Sequence, residues 1–335
     1  MSTKKILIVT DNLPNQINGV VTTFKNIASY AEKDGYELCH INPTFFHYID
    51  APRYPEVKLS WPWGIAKLIR DHNPDYIHIA TEGPLGIAAS NYCWRNNLRY
   101  NTSYHTKFPE FLKKIYNIPE SLTYRYVRWF HKHSGKVLTT TQTMVNELKA
   151  NGFIGKIYGW TRGVDKTVFI DGLRNEDIKN QSILLSVGRV SKEKNLDAFC
   201  QLDIPNTIKI IVGDGPYRKE LEIKYPNVKF VGVKTGTELA RYYANADVFV
   251  FPSRVDTFGI VMIESISMGT PVAAYPVPGP IDIIENNVTG ILNDDLEFAV
   301  KECLQLSRGQ VKKNSNKWTW ENCWEIFRDN LVTSK

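Results

Sequence analysis

Short apolar runs alternate along the chain with longer stretches whose apolar residues recur every three or four positions. KILIVT (5–10), YELCHI (36–41), YIHIA (76–80), RYNTSYH (99–105) and KVLTTT (136–141) read as strands. Between them, GVVTTFKNIASYAEKDG and WGIAKLIRDHNP have helical spacing and end on Gly or Asn-Pro. The pattern restarts with SILLSVG (182–188), TIKIIVG (207–213), VKFVG (228–232), ADVFVFPS (246–253) and TPVAAYPV (270–277). Strands that are apolar on both faces, separated by helices, predict parallel sheets covered on both sides. Two such series predict an α/β chain of two Rossmann-like doubly wound domains facing across a cleft. The expected divisions are 1–165, 166–315 and a C-terminal helix in 316–335, with a polar, aperiodic join near 163–181. That last helix carries Trp320, Trp324 and Phe327 on one face; it packs on the second domain or crosses back to the first.

Doubly wound domains bind ligands in the loops at the carboxyl ends of their strands, which directs attention to those loops. SVGRVSKEKN (186–195) places Gly188, Arg189 and Lys194 after one strand. Arginine offers a planar fork to phosphate oxygens and lysine a compact charge, although two loop cations can equally be solvated. VGDGP (212–216) is ordinary turn chemistry by itself. RVDTFGIVMIESISMGTPV (254–272) says more. A helix is expected from about Gly259 to Met268, closed by Gly269, and its first amides, Phe258 to Val261 with Ile260 between, form an anion site. Asp256 precedes that helix and Glu264 lies within it. Either they hold a ligand's hydroxyls, or Asp256 caps the helix and Glu264 meets a buried cation.

In the first half, Gly19 stands at a helix entry within DNLPNQINGVVTTF (11–24). Its readings are close backbone approach to a ligand or plain helix initiation. IATEGPLG (79–86) and SYHTKFPEF (103–111) follow strands and supply Thr81, Glu82, Tyr104 and His105.

In order and spacing, GRVSKEKN, VGDGP and DTFGIVMIESISMGTPV together resemble the second domain of retaining nucleotide-sugar glycosyltransferases of the GT-B fold, family 4. The Asp-Thr-Phe-Gly form resembles the sulfoquinovosyl-diacylglycerol synthase and mannosyltransferase branch. The family's signature more often begins with Glu where this chain has Asp256. The resemblance implies that Arg189 and Lys194 hold the donor diphosphate and Glu264 the ribose. It implies further that Asp256 and the amides from Phe258 to Val261 hold the sugar and distal phosphate. His105 matches the His of a His-Thr-x-x-Pro pattern beside the reacting sugar, with Thr81, Glu82 and Tyr104 on the acceptor side. Arg162, in WTRGVDKTVF, stands where many relatives carry Asn, and Asn18 stands where many carry Gly. VPGPIDII (277–284) replaces a Gly-Gly turn. No Asp-x-Asp pair sits in a credible site, so no metal and no cofactor are expected.

Charge changes the picture in one place. Residues 1–165 carry 20 basic and 13 acidic side chains, a net +7, whereas 166–335 carry a net −1. Residues 94–136 alone hold nine cations, two acids and ten aromatic residues. PESLTYRYVRWFHKHSG (119–135) is expected to set Leu122, Tyr126, Trp129 and Phe130 on one helix face and Arg125, Arg128 and Lys132 on another. Such a segment suits an anionic membrane surface, with Lys113, Lys114, Arg125 and Arg128 as contacts; the other reading is domain core beneath solvated cations. No recognised nucleic-acid motif accompanies it, so no nucleic-acid partner is expected. The five scattered cysteines read as reduced thiols, and no signal or spanning segment is evident in the sequence. The expected location is therefore cytoplasmic, peripheral on the inner face of the cell membrane. The expected partners are a nucleotide-sugar donor, UDP-sugar ahead of GDP-mannose, and a lipid acceptor such as diacylglycerol. The sequence carries no signal for oligomeric state. A nucleotide-sugar epimerase is the rival from another class.

Overall fold

The computed structural model describes residues 3–16, 18–52, 54–175 and 181–335. The chain divides into two compact units, Met1–Arg162 with Trp320–Lys335, and Gly163–Thr319.

The first unit is built on a parallel sheet of β1 (Lys4–Val9), β2 (Tyr36–Ile41), β5 (Tyr76–Ile79), β6 (Asn101–Tyr104), β7 (Val137–Thr139) and β8 (Ile157–Gly159). A separate antiparallel hairpin, β3 (Tyr48–Ala51) and β4 (Tyr54–Ser60), is inserted after β2. The sheet order is β2-β1-β5-β6-β7-β8. The chain leaves β1 to one side and returns on the other, so the topological switch lies between β1 and β5. Ile6 to Val9 have no exposed surface, as expected of a central strand covered on both faces. The helices are α1 (Gly19–Lys33), α2 (Ile65–His72), α3 (Pro84–Arg95), α4 (Phe108–Tyr116), α5 (Glu120–His131) and α6 (Gln142–Ala150).

The C-terminal helix, Trp320–Asp329, belongs to this first unit rather than packing on the second. Its Trp324 indole and its Arg328 both donate to Asp34 at the end of α1, each at 2.7 Å. Phe327 stacks on Trp160 at 4.9 Å and meets Phe24 and His78 edge-on. A face of three large aromatics buried in this way contributes several kcal/mol, at about 1.5–3 kcal/mol for each large apolar side chain.

The second unit has β9 (Ser182–Val187), β10 (Thr207–Val212), β11 (Lys229–Phe230), β12 (Val248–Phe251), β13 (Val272–Ala274) and β14 (Gly290–Leu292), all parallel, in the order β11-β10-β9-β12-β13-β14. Its switch point lies between β9 and β12. Helices α7 (Leu196–Cys200), α8 (Arg218–Lys224), α9 (Gly236–Asn245), α10 (Ile260–Ser267), α11 (Pro280–Ile283), α12 (Leu296–Cys303) and α13 (Arg308–Lys313) surround the sheet. One core, with Leu184, Val250, Ala273 and Val300, lies on one face; the other, with Leu185, Phe249, Ile263 and Ile266, lies opposite.

The exposed face of α5 differs from the sequence expectation. Thr123, Tyr124, Val127, Phe130 and His131 form its buried face. Phe130 therefore joins the core, while Leu122 and Trp129, 56% and 50% exposed, share the solvent side with Arg125 and Lys132. Apolar and cationic groups occupy one stripe, not two.

Candidate functional site

The two strands that flank the second unit's switch point deliver the donor-side loops. After β9 the chain runs through Gly188 and the half-buried Arg189 to a short turn, Lys192–Lys194. After β12 it runs through Ser253 and Asp256 to Gly259. Asn195 ties the two loops together, its Nδ2 donating to Pro252 O at 3.1 Å. Lys194 Nζ then reaches Asp256 Oδ1 at 2.6 Å. Both side chains are largely covered, and Asp256 Oδ2 is buried with no hydrogen-bond partner among the described residues. An uncompensated buried carboxylate oxygen is costly, and it is the kind of group that a ligand hydroxyl would satisfy.

Asp256 does not cap α10. Gly259 occupies the N-cap at φ +87°, a conformation open to glycine, and it has no side chain with which to bond the helix start. The first-turn amides at half-buried Ile260 and Val261 thus face a place where an anion can sit. Phe258 contributes only backbone, because its ring packs edge-on to Trp318 in the core. The VPGP turn closes against this loop. Gly279, at φ +94°, lies where an added Cβ would meet Asp256 O at 3.0 Å and Phe258 O at 3.2 Å.

Glu264 sits one turn along α10. Its partner is not the buried cation allowed by the sequence but the hydroxyl of Tyr243 on α9, which donates to Oε2 at 2.8 Å. Burial raises the Glu264 carboxyl to about 7, with the Tyr243 hydrogen bond opposing the rise. Tyr243, fully buried and unremarked in the sequence, is the residue that orients Glu264.

In the first unit, the carboxyl edge of the sheet gathers the ends of β1, β5 and β6. Asp11, following β1, accepts from Thr81 Oγ1 at 2.7 Å and from Leu85 N at 2.8 Å. Burial lifts it to about 6 although those donors hold it down. Asp11 therefore fixes the start of α3 and occupies the Thr81 hydroxyl. The Glu82 carboxylate is held 3.3 Å from His131 Nε2 on α5. Tyr104 does not face the edge, because it is fully buried with Val127, Val137 and Met144. Alternating strand residues point to opposite faces, and Tyr104 falls on the core side. At Gly19, Asn18 caps α1, its Oδ1 accepting from Val20 N and Val21 N at 3.0 Å. Two first-turn amides are thereby already engaged.

His105, after β6, is half-buried, and its Nδ1 lies 3.0 Å from Arg162 Nη2. Burial and the Arg162 charge push it well below its ordinary range, so the ring is neutral. Sequence spacing does not reveal this pair, since 57 positions separate the two residues.

Of the basic residues assigned to a membrane, Arg125 is exposed. Lys113 is exposed but pairs with Glu120 at 3.0 Å. Arg128 is committed to Asn151 O at 2.8 Å, and the Lys114 side chain lies outside the described residues. A second exposed apolar group lies at the β3–β4 insertion. Phe45, Trp61 and Trp63, the last 87% exposed, line an open groove with Phe46 and His47. Among the described residues no helix is long and apolar enough to cross a membrane, and no three His, Cys, Asp or Glu side chains are grouped to hold a metal ion.

Residues 17–168 match Glycosyltransferase Family 4, and residues 173–305 match Glycosyl transferases group 1. A GDP-mannose-dependent alpha-mannosyltransferase of Corynebacterium glutamicum is 28% identical over 97% of this chain and 85% of its own. The sulfoquinovosyl transferase of Arabidopsis thaliana is 26% identical over 82% of this chain and 60% of its own. The alpha-monoglucosyldiacylglycerol synthase of Streptococcus pneumoniae is 25% identical over 90% of this chain and 78% of its own. Among solved structures, the sucrose-phosphate synthase of Thermosynechococcus elongatus aligns with a TM-score of 0.79 at 17% identity, covering 97% of this chain and 98% of that one. HepE of Anabaena, in complex with UDP-glucose, aligns with 0.75 at 16% identity and the same coverage. These matches leave no place for an epimerase. The chain belongs to the group 1 glycosyltransferases of the GT-B fold, in the branch that contains the sulfoquinovosyl transferase, the mannosyltransferases and the glucosyldiacylglycerol synthase.

Proposed function

We propose that the protein is a retaining glycosyltransferase that moves a hexose from a nucleotide diphosphate, a UDP-sugar, to a membrane lipid such as diacylglycerol. The observation that carries the donor side is the Lys194–Asp256 pair at the second switch point, with Asp256 Oδ2 left for a sugar hydroxyl. An ammonium has three donors, so Lys194 can keep Asp256 and still meet a phosphate oxygen. Arg189 and the α10 amides take the remaining negative charge, in place of a divalent ion. Glu264 takes the ribose hydroxyls.

In the reaction the bond from the anomeric carbon to the departing phosphate oxygen breaks, and the acceptor oxygen bonds to that carbon on the same face. The acceptor's proton passes to the phosphate oxygen. Positive charge develops on the sugar and negative charge on the diphosphate, where pre-placed N–H donors and cations stabilise it most. His105 is assigned to the acceptor side by its match to the His of the family's His-Thr-x-x-Pro pattern.

The lipid acceptor is supported by relatives named for diacylglycerol and sulfoquinovosyl chemistry. It is supported also by the exposed aromatics Phe45, Trp61 and Trp63 and the mixed stripe of α5, since tryptophan and cations favour the membrane interface. A peripheral position on the inner face of the cell membrane follows. GDP-mannose as donor is the second reading, favoured by the name of the mannosyltransferase that matches nearly the whole chain. Radiolabelled UDP-glucose, UDP-glucuronate, UDP-galactose and GDP-mannose, each offered with diacylglycerol vesicles and resolved by thin-layer chromatography, test both. A labelled lipid from a UDP-sugar supports the first reading, and one from GDP-mannose alone replaces it. Label transferred only to water-soluble acceptors would refute the lipid assignment.

A further inference from the structure

We infer that Arg162 is a positioning residue that holds the neutral His105 ring in the tautomer protonated on Nε2, making His105 a fixed hydrogen-bond donor and not a proton acceptor. What His105 donates to rests on the glycosyl-transfer reading; the pairing itself rests on the first unit alone.

Arg162 is 3% exposed at the end of that unit. Its Nη1 donates to Trp160 O at 2.6 Å and Thr161 O at 2.8 Å, and its guanidinium lies over the Trp160 ring, 4.5 Å from the centroid. Its Nη2 donates to His105 Nδ1 at 3.0 Å. The thiol of Cys323 is a further neighbour, and no carboxylate among the described residues pairs with this guanidinium. Burying such a cation is costly, and an apolar residue of similar volume would avoid the cost. What the guanidinium supplies, and an apolar residue does not, is a positive donor aimed at one ring nitrogen.

A guanidinium has no acceptor, so the contact requires a lone pair on Nδ1, and the single proton of a neutral imidazole then resides on Nε2. Moving that proton to Nδ1 would set two donors head to head. Protonating both nitrogens would put two cations 3.0 Å apart. The other titratable groups around the ring act in the same direction, for His78 on β5 and His131 on α5 both disfavour its charge. The Glu82 carboxylate, which follows β5, is turned to His131. The Trp160 ring packs 5.6 Å from the imidazole and restricts its rotation. His105 is thus locked in tautomer and charge. The proton of the acceptor hydroxyl must go elsewhere, which agrees with its passage to the donor phosphate.

The test uses full-length protein with ring-15N histidine and long-range proton–nitrogen correlation spectra from about pH 5.5 to 8, the range in which an ordinary histidine titrates. His105→Gln assigns the signals. In the wild type, His105 Nδ1 should be unprotonated, Nε2 protonated, and neither should shift with pH. Arg162→Gln, which keeps an N–H donor without charge, should retain the tautomer. Arg162→Met, which keeps neither, should show both tautomers. Burial still disfavours the imidazolium in both variants, so the Arg162→Met transfer rate should fall with the share of rings protonated on Nδ1 and gain no new pH dependence. A wild-type ring protonated on Nδ1, or titrating in this range, overturns the inference, as does an Arg162→Met spectrum identical to wild type. The wild-type spectrum decides even if the Met variant does not fold. Because it needs no substrate, the predicted spectrum in a protein that transfers no sugar would count against the functional reading alone.

Discussion

Glu264 is poised between two protonation states near neutral pH, its carboxyl raised by burial from 4.5 to about 7. Ribose hydroxyls donate most strongly to the ionised form. Donor binding should therefore strengthen as pH rises through about 7 and weaken by up to about tenfold per unit below it. Calorimetric titration of nucleotide between pH 6 and 8 checks this, and Glu264→Gln should flatten the dependence. The sign for stability is opposite. The folded state holds this proton more tightly than the unfolded chain, so the contribution is complete below 4.5 and is lost as pH rises through about 7. Lys194→Met should act differently, stranding the Asp256 carboxylate at a cost of about 1–3 kcal/mol in denaturant unfolding. Adding Asp256→Asn should restore stability but not donor binding. Recovered binding in the double variant would show that the pair does not hold the donor. The sequence puts Lys194 and Asp256 in segments that follow apolar strands and Glu264 in the helix after the second of them, and the structure has them there. The sequence is silent on which would touch. Lys194 and Asp256 are 62 positions apart, and Tyr243 carries no signal beyond a helical aromatic.

Elements were legible where burial writes a continuous pattern. The ten strands expected from the sequence all appear, most plainly the central ones such as β1 and β12, which have no polar face to obscure the run. The hairpin β3–β4 was not legible, because Tyr48 and Ile49 are exposed and such a strand has no apolar face toward a core. Strands β8 and β14 lie at sheet edges, and IYG and GIL stand in no longer apolar run that would mark them. On α5 the period was read correctly but its phase was not. The aromatic residues spread around the helix, and only packing decides that Phe130 goes in and Trp129 stays out. The C-terminal helix likewise shows an apolar face without showing what it covers. Its Phe327, fully buried among Phe24, His78 and Trp160, should make that helix part of the first unit's stability. Phe327→Ala should destabilise by about 3–5 kcal/mol and lower the melting temperature on the order of 10 °C. A change under about 1 kcal/mol would mean that this helix is only loosely attached.

At the scale of the whole molecule, charge is unevenly shared, with a net +7 in residues 1–165 against −1 in the remainder. Two physical forces can draw the first unit to a lipid surface, and they respond differently to salt. Exposed cations contribute about 1 kcal/mol each near an anionic leaflet, an effect screened within a Debye length. Exposed tryptophans contribute by burial, which salt does not screen. The structure ranks the cations. Arg125 and Lys132 are exposed on α5, Lys113 is partly neutralised by Glu120, and Arg128 is engaged with Asn151. Replacing Arg125 and Lys132 with Gln should therefore weaken sedimentation with anionic vesicles about 30-fold at low salt. The difference should shrink as salt rises, and nucleotide binding should be unchanged. Replacing Trp61 and Trp63 with Ser should weaken sedimentation by a factor that stays constant with salt, and it should also reduce binding to uncharged vesicles. If both pairs of substitutions leave sedimentation unaltered, neither surface meets the membrane, and the lipid acceptor would have to reach the enzyme from solution.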